Sequence, residues 1–503
     1  MNAKIIVNRN FVVSEIDSRM FSGFIEHLGR AVYGGIYEPG HPEADSDGFR
    51  QDVYKMVKEL DMPLTRYPGG NFVSAYNWED GIGPREKRPK RLDFAWKSLE
   101  TNQFGTDEFM AWCQKAGTAP MIAVNLGTRG PAEAQSLVEY CNCNYGSYWS
   151  DLRRKYGREQ PYAVKTWCLG NEIDGAWQAG HKNAGDYGKI ALEAAKMMKN
   201  TDPSIELVVC GSSSMGMSTF GDWDATVLEY TYDFVDYISL HAYYGNRNDD
   251  TALFLAQSEK MEQQIKQIVA VCDYVAALKR STKTMMLSFD EWNIWYHSSG
   301  QEKNSEEWTA ARPILEDIYN MEDALLVGCM LITLLNNADR VKIACLAQTV
   351  NVIAPIMTGK GGSAWRQTIF YPFKYTAAYG RGRVLRQIID SPVYEVKFES
   401  GKPRQISYLA STVVYNEQAG EISVFAVNRS LEEDLSLKVM LGEFFLSGVI
   451  EWLTMHHRDL KAGNSEGHEH IVPEVAGGAE IENNCLSATL PAASWNMIRI
   501  KVS

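Results

Sequence analysis

The chain has 503 residues, 45% hydrophobic and 22% charged, an ordinary globular composition with length for one large barrel plus an accessory domain. Its formal net charge of −13 repels phosphate backbones and anionic lipid surfaces, so neither nucleic acid nor membrane is an expected partner, while a neutral substrate suffers no such penalty. The 13 Trp and 25 Tyr would suit either stacking on sugar rings or simply a large core.

In chain order, residues 1–17, including "AKIIVNRNFVVSEI", read as strand. They hold no apolar h-region, so the cytoplasm is the expected compartment, with imported fragments as substrate. Eight continuous apolar runs follow: residues 21–29, 62–70, 120–127, 164–172, 205–214, 237–245, 284–293 and 341–350. Continuous rather than alternating apolar character is expected of parallel strands covered on both faces. Helical patterns lie between them. "FRQDVYKMVKEL" (49–60) repeats its apolar residues at helical spacing, and "TDEFMAWCQKAG" (106–117) opens on a candidate N-cap, Thr106, and closes on Gly117. Residues 183–200 and 258–280 read as amphipathic helices, and 320–337 as a helix buried on most sides. No G-x-G-x-x-G follows the first strand, so the doubly wound alternative lacks its signature. The predicted architecture is α/β: a (β/α)8 TIM barrel over 18–383 and a C-terminal antiparallel β-sandwich over 384–503, with residues 1–17 joining the sandwich.

Two of the runs end alike. "WCLGNEIDGAW" (167–177) stops at Asn171-Glu172, and "KTMMLSFDEWNIW" (283–295) reaches Glu291 among Trp292 and Trp295. In such a barrel the chemistry sits at the C-terminal strand ends, so Glu172 on the fourth strand and Glu291 on the seventh face one pocket. A protonated and an ionised carboxyl flanking one bond is the requirement for glycoside hydrolysis, retaining or inverting according to their separation. One isolated Gly-Asn-Glu is more often a strand-end ion pair, but two such glutamates three units apart favour the catalytic reading. Asn171 can donate to a sugar 2-hydroxyl, and Trp177, Trp292 and Trp295 can wall the pocket. Other strand ends add Glu26, Arg66, Asn71, Asn125, His241, Tyr243, Tyr244 and Gln348, each of which reads equally well as a loop residue held by hydrogen bonds.

Six ordered motifs, "GFIEHLGRAVYGGIYEPG", "TRYPGGNFVSAYNWEDGIGP", "WCLGNEIDGAW", "SLHAYYGN", "LSFDEWNIWYH" and "IACLAQTVNVIAP", resemble the α-L-arabinofuranosidases of glycoside hydrolase family 51 across the whole chain. The resemblance implies a retaining double displacement, with Glu172 as acid/base and Glu291 as nucleophile. It implies that Glu26, Asn71, Asn171, Tyr243 and Gln348 hold the furanose ring and that Trp295 borders the leaving group. It further implies an exo-acting enzyme on arabino- and arabinoxylo-oligosaccharides, a jelly-roll sandwich, no cofactor, no metal and a hexamer. Ala242 and Ala176 depart from the family's usual Gln and Pro.

Several signals read as structural. "GKGGS" (359–363) lacks Walker spacing, and "HHRD" (456–459) and "HEH" (468–470) lack a metal-ligand pattern. The basic "REKRPKR" (85–91) reads as a solvated loop near the barrel mouth or a contact between subunits. The nine Cys are irregularly spaced, with Cys141 and Cys143 the closest pair in a C-x-C rather than C-x-x-C arrangement, and Cys168, Cys210, Cys272, Cys329 and Cys345, in apolar runs, read as reduced core residues. The competing readings are a β-xylosidase or endoglucanase on the same barrel, and a non-catalytic sugar-binding protein.

Overall fold

A computed structural model describes residues 1–298, 307–399 and 401–502. All eight apolar runs form strands: Ser22–Phe24, Leu64–Tyr67, Ala119–Ala123, Thr166–Leu169, Glu206–Val209, Tyr237–Tyr244, Met286–Ile294 and Val341–Ala347. They pair in parallel, in sequence order, and the eighth closes on the first. These are called the first to eighth barrel strands. Alternate side chains fill the barrel axis, among them Phe24, Leu64, Met121, Cys168, Val208, Ile343 and Cys345. Their neighbours, such as Ile122, Trp167 and Leu169, point outward under the helices.

The predicted helices form at Gln51–Glu59, Thr106–Ala116, Ala184–Thr201, Ser258–Lys279 and Met321–Asn336. One cap differs from expectation. Thr106 is the first helical residue rather than the cap, and Gly105 takes the cap position with its N–H on the Glu108 carboxylate at 2.9 Å. Five further α-helices were not read from the sequence: Pro131–Asn142, Tyr148–Lys155, Asp222–Thr231, Thr251–Leu255 and Phe370–Tyr379.

The strand-rich tail forms two sheets around their own core, which includes Ile5, Val413, Val424, Leu437 and Ile498. The seven-stranded sheet is antiparallel at every pairing. In the five-stranded sheet, Asn2–Asn8 lies between Ile388–Asp390 and Leu435–Gly442, and it runs parallel to the latter. Val12–Glu15 edges the seven-stranded sheet. The helix Met321–Asn336 packs on the strands Leu409–Asn416, Glu421–Asn428 and Ser494–Val502. It is apolar all round because it lies between barrel and sandwich.

The basic run differs from a freely solvated loop. Arg85 and Arg88 bind Glu108, and Arg91 binds Asp80. All nine cysteines are free thiols, and no helix among the described residues is long and apolar enough to cross a membrane.

Candidate active site

The floor of the site is built from adjacent strand ends. Arg66, ending the second strand, is fully buried and donates from Nη1 to Glu291 Oε1 and from Nη2 to Asn171 Oδ1, both at 2.7 Å. Tyr243 donates to Glu291 Oε2 at 2.8 Å. Burial and the Glu291 charge push the Tyr243 hydroxyl well above its usual range, so it stays a donor. Glu291 thus rests in a cradle of hydrogen-bond donors.

The seventh strand carries a bulge here. Its register against the sixth shifts between Ser239 and His241, so Phe289 and Asp290 on the seventh strand face the single Leu240 on the sixth. The consequence is that two consecutive side chains, Asp290 and Glu291, both reach interior partners. The regular alternation resumes at Trp292, whose ring is 0% exposed and packs outward in the core under the helices. Trp292 therefore does not wall the pocket, in contrast to the expectation from the sequence.

His241 sits at the centre. Its Nδ1 is 2.9 Å from Glu172 Oε1 and 3.6 Å from Glu291 Oε2, and its Nε2 is 2.9 Å from Asp290 Oδ1. Burial alone would depress its pKa, but the Glu291 charge and the hydrogen bonds to Asp290 and Glu172 push it up to about 10. Both ring nitrogens are therefore donors. Glu172, His241 and Glu291 offer three possible metal ligands within 4.8 Å of one another. A doubly protonated imidazole has no lone pair for a metal ion, so the cluster suits protons better than a cation.

Glu172 follows the fourth strand with φ at +45°, in the left-handed region. Its Oε2 accepts from the indole of Trp177 at 2.9 Å, and Trp177 is 55% exposed. Glu172 is thus the more open carboxylate and Glu291 the deeper one. Asn171 Nδ2 is buried and has no partner, while its Oδ1 is pinned by Arg66. It is an oriented, unused donor at the floor of the site.

Glu26 forms another wall. It accepts from the Phe72 backbone and from Trp96 Nε1, both at 2.9 Å, and Gln348 Nε2 lies 3.3 Å away. Burial raises its carboxyl to about 8 despite those hydrogen bonds. The turn at Gly70 must be glycine, because a Cβ there would stand 2.3 Å from Glu26 Oε2. Asn71 is held by Gln178. Trp295 packs edge-on to Tyr243 with 5.7 Å between ring centroids.

Two of the polar strand-end residues do other work. Asn125 organises its own loop through Thr128 and the Tyr76 carbonyl, and Tyr244 lies in the core. Sequence reasoning missed Asp290, Gln178 and Trp96. Asp290 left a signal, since an acid inside "LSFDEW" has to find a buried partner. Trp96 and Gln178 arrive on loops and left none.

A closed (β/α)8 barrel with two carboxylates at the ends of its fourth and seventh strands, an arginine beneath them and aromatic side chains at the mouth defines a barrel glycoside hydrolase. The comparisons narrow this class. The α-L-arabinofuranosidase 1 domain matches residues 56–264, and the α-L-arabinofuranosidase C-terminal domain matches residues 290–494. The intracellular exo-α-(1→5)-L-arabinofuranosidase 1 of Bacillus subtilis is 56% identical over 499 residues, covering 99% of each chain. The enzyme named intracellular exo-α-(1→5)-L-arabinofuranosidase in Halalkalibacterium halodurans is 56% identical over 500 residues, again covering 99% of each. A solved family 51 α-L-arabinofuranosidase from Bifidobacterium longum superposes with a TM-score of 0.94 at 43% identity, covering 99% of each chain. The chain belongs to the α-L-arabinofuranosidases of glycoside hydrolase family 51.

Proposed function

We propose that this protein is a retaining, exo-acting α-L-arabinofuranosidase that releases terminal non-reducing arabinofuranosyl residues from arabino- and arabinoxylo-oligosaccharides. The observation that carries the mechanism is the spacing of the two glutamates. Their oxygens approach within 4.8 Å across His241. Retaining enzymes hold their carboxyls about 5–5.5 Å apart, whereas inverting ones need roughly 6.5–9.5 Å to admit a water.

In the first step Glu291 attacks the anomeric carbon as the glycosidic bond breaks, and Glu172 gives its proton to the departing oxygen. In the second, Glu172 takes a proton from water, the water oxygen bonds to the anomeric carbon, and the Glu291 ester bond breaks. The burial and donors around Glu291 fit a nucleophile, and the openness of Glu172 fits the leaving-group side. The free Nδ2 of Asn171 fits a donor to the sugar 2-hydroxyl, whose bond strengthens as the ring flattens. Glu26, Asn71, Gln348 and Trp295 complete the ring-holding set.

The relatives' names favour α-(1→5) linkages and an intracellular location. Family membership favours a hexamer, which sedimentation would test. The activity test is hydrolysis of 4-nitrophenyl α-L-arabinofuranoside beside the β-D-xylopyranoside and a cello-oligosaccharide, with Glu291→Ala in parallel. Rapid release from the arabinofuranoside alone, lost in the variant and giving first product of retained configuration, supports the reading. Preference for the xyloside or cello-oligosaccharide overturns the substrate. Binding without turnover overturns the enzyme.

A further inference from the structure

Phe94 is among the most exposed large apolar side chains among the described residues, at 71%, and it lies close in sequence to the catalytic pocket. It occupies the turn between the strands Arg91–Asp93 and Ser98–Glu100. That turn is stiff. Asp93 accepts from the N–H groups of Ala95 and Trp96 and from the Ser98 hydroxyl. Two residues past Phe94, the Trp96 indole donates to Glu26 in the pocket wall. Glu100 ties the far strand to His27, beside Glu26, at 2.8 Å.

A second ring meets Phe94 from another part of the chain. Trp308 packs against it edge to face, with centroids 5.7 Å apart and an interplanar angle of 81°. The segment bearing Trp308 is fastened to the same hairpin. Leu99 N–H donates to Thr309 O, and Arg312 Nη2 donates to Trp96 O, both at 3.2 Å. Leu92, 47% exposed, continues the apolar surface along the hairpin. The Phe94 ring stays open to solvent, Trp308 is half-buried, and neither belongs to the core clusters.

We propose that Phe94 and Trp308 form a sugar-stacking platform at the rim, which takes a further ring of the oligosaccharide beyond the scissile bond. This rests on the arabinofuranosidase reading and deepens it. The chemistry fits a neutral carbohydrate. The C–H face of a sugar ring is apolar and packs on an aromatic face, while its rim hydroxyls stay in water. Continuity with the pocket through Trp96 and Glu26 makes the occupant a neighbouring ring of the same chain rather than a separate molecule.

The test compares kcat/KM on arabino-oligosaccharides from disaccharide to pentasaccharide, and on 4-nitrophenyl α-L-arabinofuranoside, for wild type, Phe94→Ala, Trp308→Ala and Phe94→Trp. Wild type is expected to gain efficiency with chain length. Both alanine variants should lose that gain by about tenfold, chiefly in KM, as expected for one stacking contact. The aryl arabinofuranoside should stay within about twofold of wild type, and Phe94→Trp should keep the gain. An equal loss on every substrate, an unchanged length profile, or an altered oligomeric mass with that profile intact would each overturn the platform. A wild type that cleaves no arabinofuranoside takes the functional reading down with it, whereas normal cleavage without length dependence overturns the platform alone.

Discussion

Glu291 and Glu172 differ in what surrounds them, and the difference sets distinct experimental signatures. Glu291 receives Arg66 and Tyr243 and has His241 nearby, so removing its carboxylate leaves a charged, empty slot, which the proposed nucleophile role sets beside the anomeric carbon. Glu291→Ala should lower kcat on every arabinofuranoside by on the order of 10⁴-fold. Azide should restore turnover through that slot and yield the glycosyl azide of inverted configuration, seen by NMR. Retained configuration in the rescued product would remove the nucleophile role. Glu172→Ala should behave differently. A good aryl leaving group needs little protonation, so its release should fall far less than that of an oligosaccharide, a gap of about 10²–10⁴ in kcat/KM. Equal losses would count against proton donation. His241 supplies a third signature, in stability. Its folded pKa of about 10 lies above its ordinary 6.5, so the folded protein keeps a proton that the unfolded chain releases. That stabilisation is fully present below pH 6.5 and is lost as pH rises through about 10. Melting temperatures from pH 6 to 10 should therefore fall more steeply for wild type than for His241→Gln, and parallel slopes would show that His241 is not held protonated.

At the level of elements, the seventh strand and the helix Met321–Asn336 show what a sequence does and does not disclose. Gly328 lets that helix approach the sandwich, because a Cβ there would stand 2.5 Å from Trp495 Cδ1. Gly328→Leu should overpack this contact and cost about 1–3 kcal/mol in urea denaturation, with the kcat of the folded protein unchanged. Unchanged stability would mean that the two domains shift apart freely. The helix itself was legible because a long apolar stretch led by acidic residues admits few other readings. The eight barrel strands were legible because cover on both faces leaves a continuous apolar run. Glu172 and Glu291 were legible because they interrupt such runs at their ends. The bulge in the seventh strand was not. Strict alternation puts neighbouring residues on opposite faces, and only pairing with the sixth strand turns both Asp290 and Glu291 inward and sends Trp292 out. Trp96 and Gln178 were illegible for a related reason. Their loops are shaped by distant partners, Glu26 for one and Asn71 for the other.

For the whole molecule, the question is how the sandwich is coupled to a pocket it does not line. The start of the helix Met321–Asn336 supplies the joint. Its first-turn N–H groups, which have no partner within the helix, are taken by the sandwich excursion, with Met321 N–H on Ala462 O at 2.9 Å and Glu322 N–H on Leu460 O at 3.1 Å. Glu322 is itself fully buried and accepts from Lys461 Nζ at 2.7 Å, Thr251 at 2.7 Å and Tyr296 at 3.1 Å. Tyr296 follows Trp295 at the pocket mouth, so one carboxylate joins the sandwich to the loop after the seventh strand. A buried charge costs most when it loses its counter-ion, and much less when the charge itself is removed. Lys461→Met should therefore destabilise the protein by about 3–5 kcal/mol, near the value for breaking a buried pair, reduced to the extent that the half-exposed lysine is screened. Glu322→Gln in the Lys461→Met background should recover much of that loss, because the remaining partners can bind an amide. Chemical denaturation of the four proteins in this double-mutant cycle measures the coupling. Additive losses would show that Glu322 is held by the loop alone, and that the sandwich contributes packing to this joint but no charge.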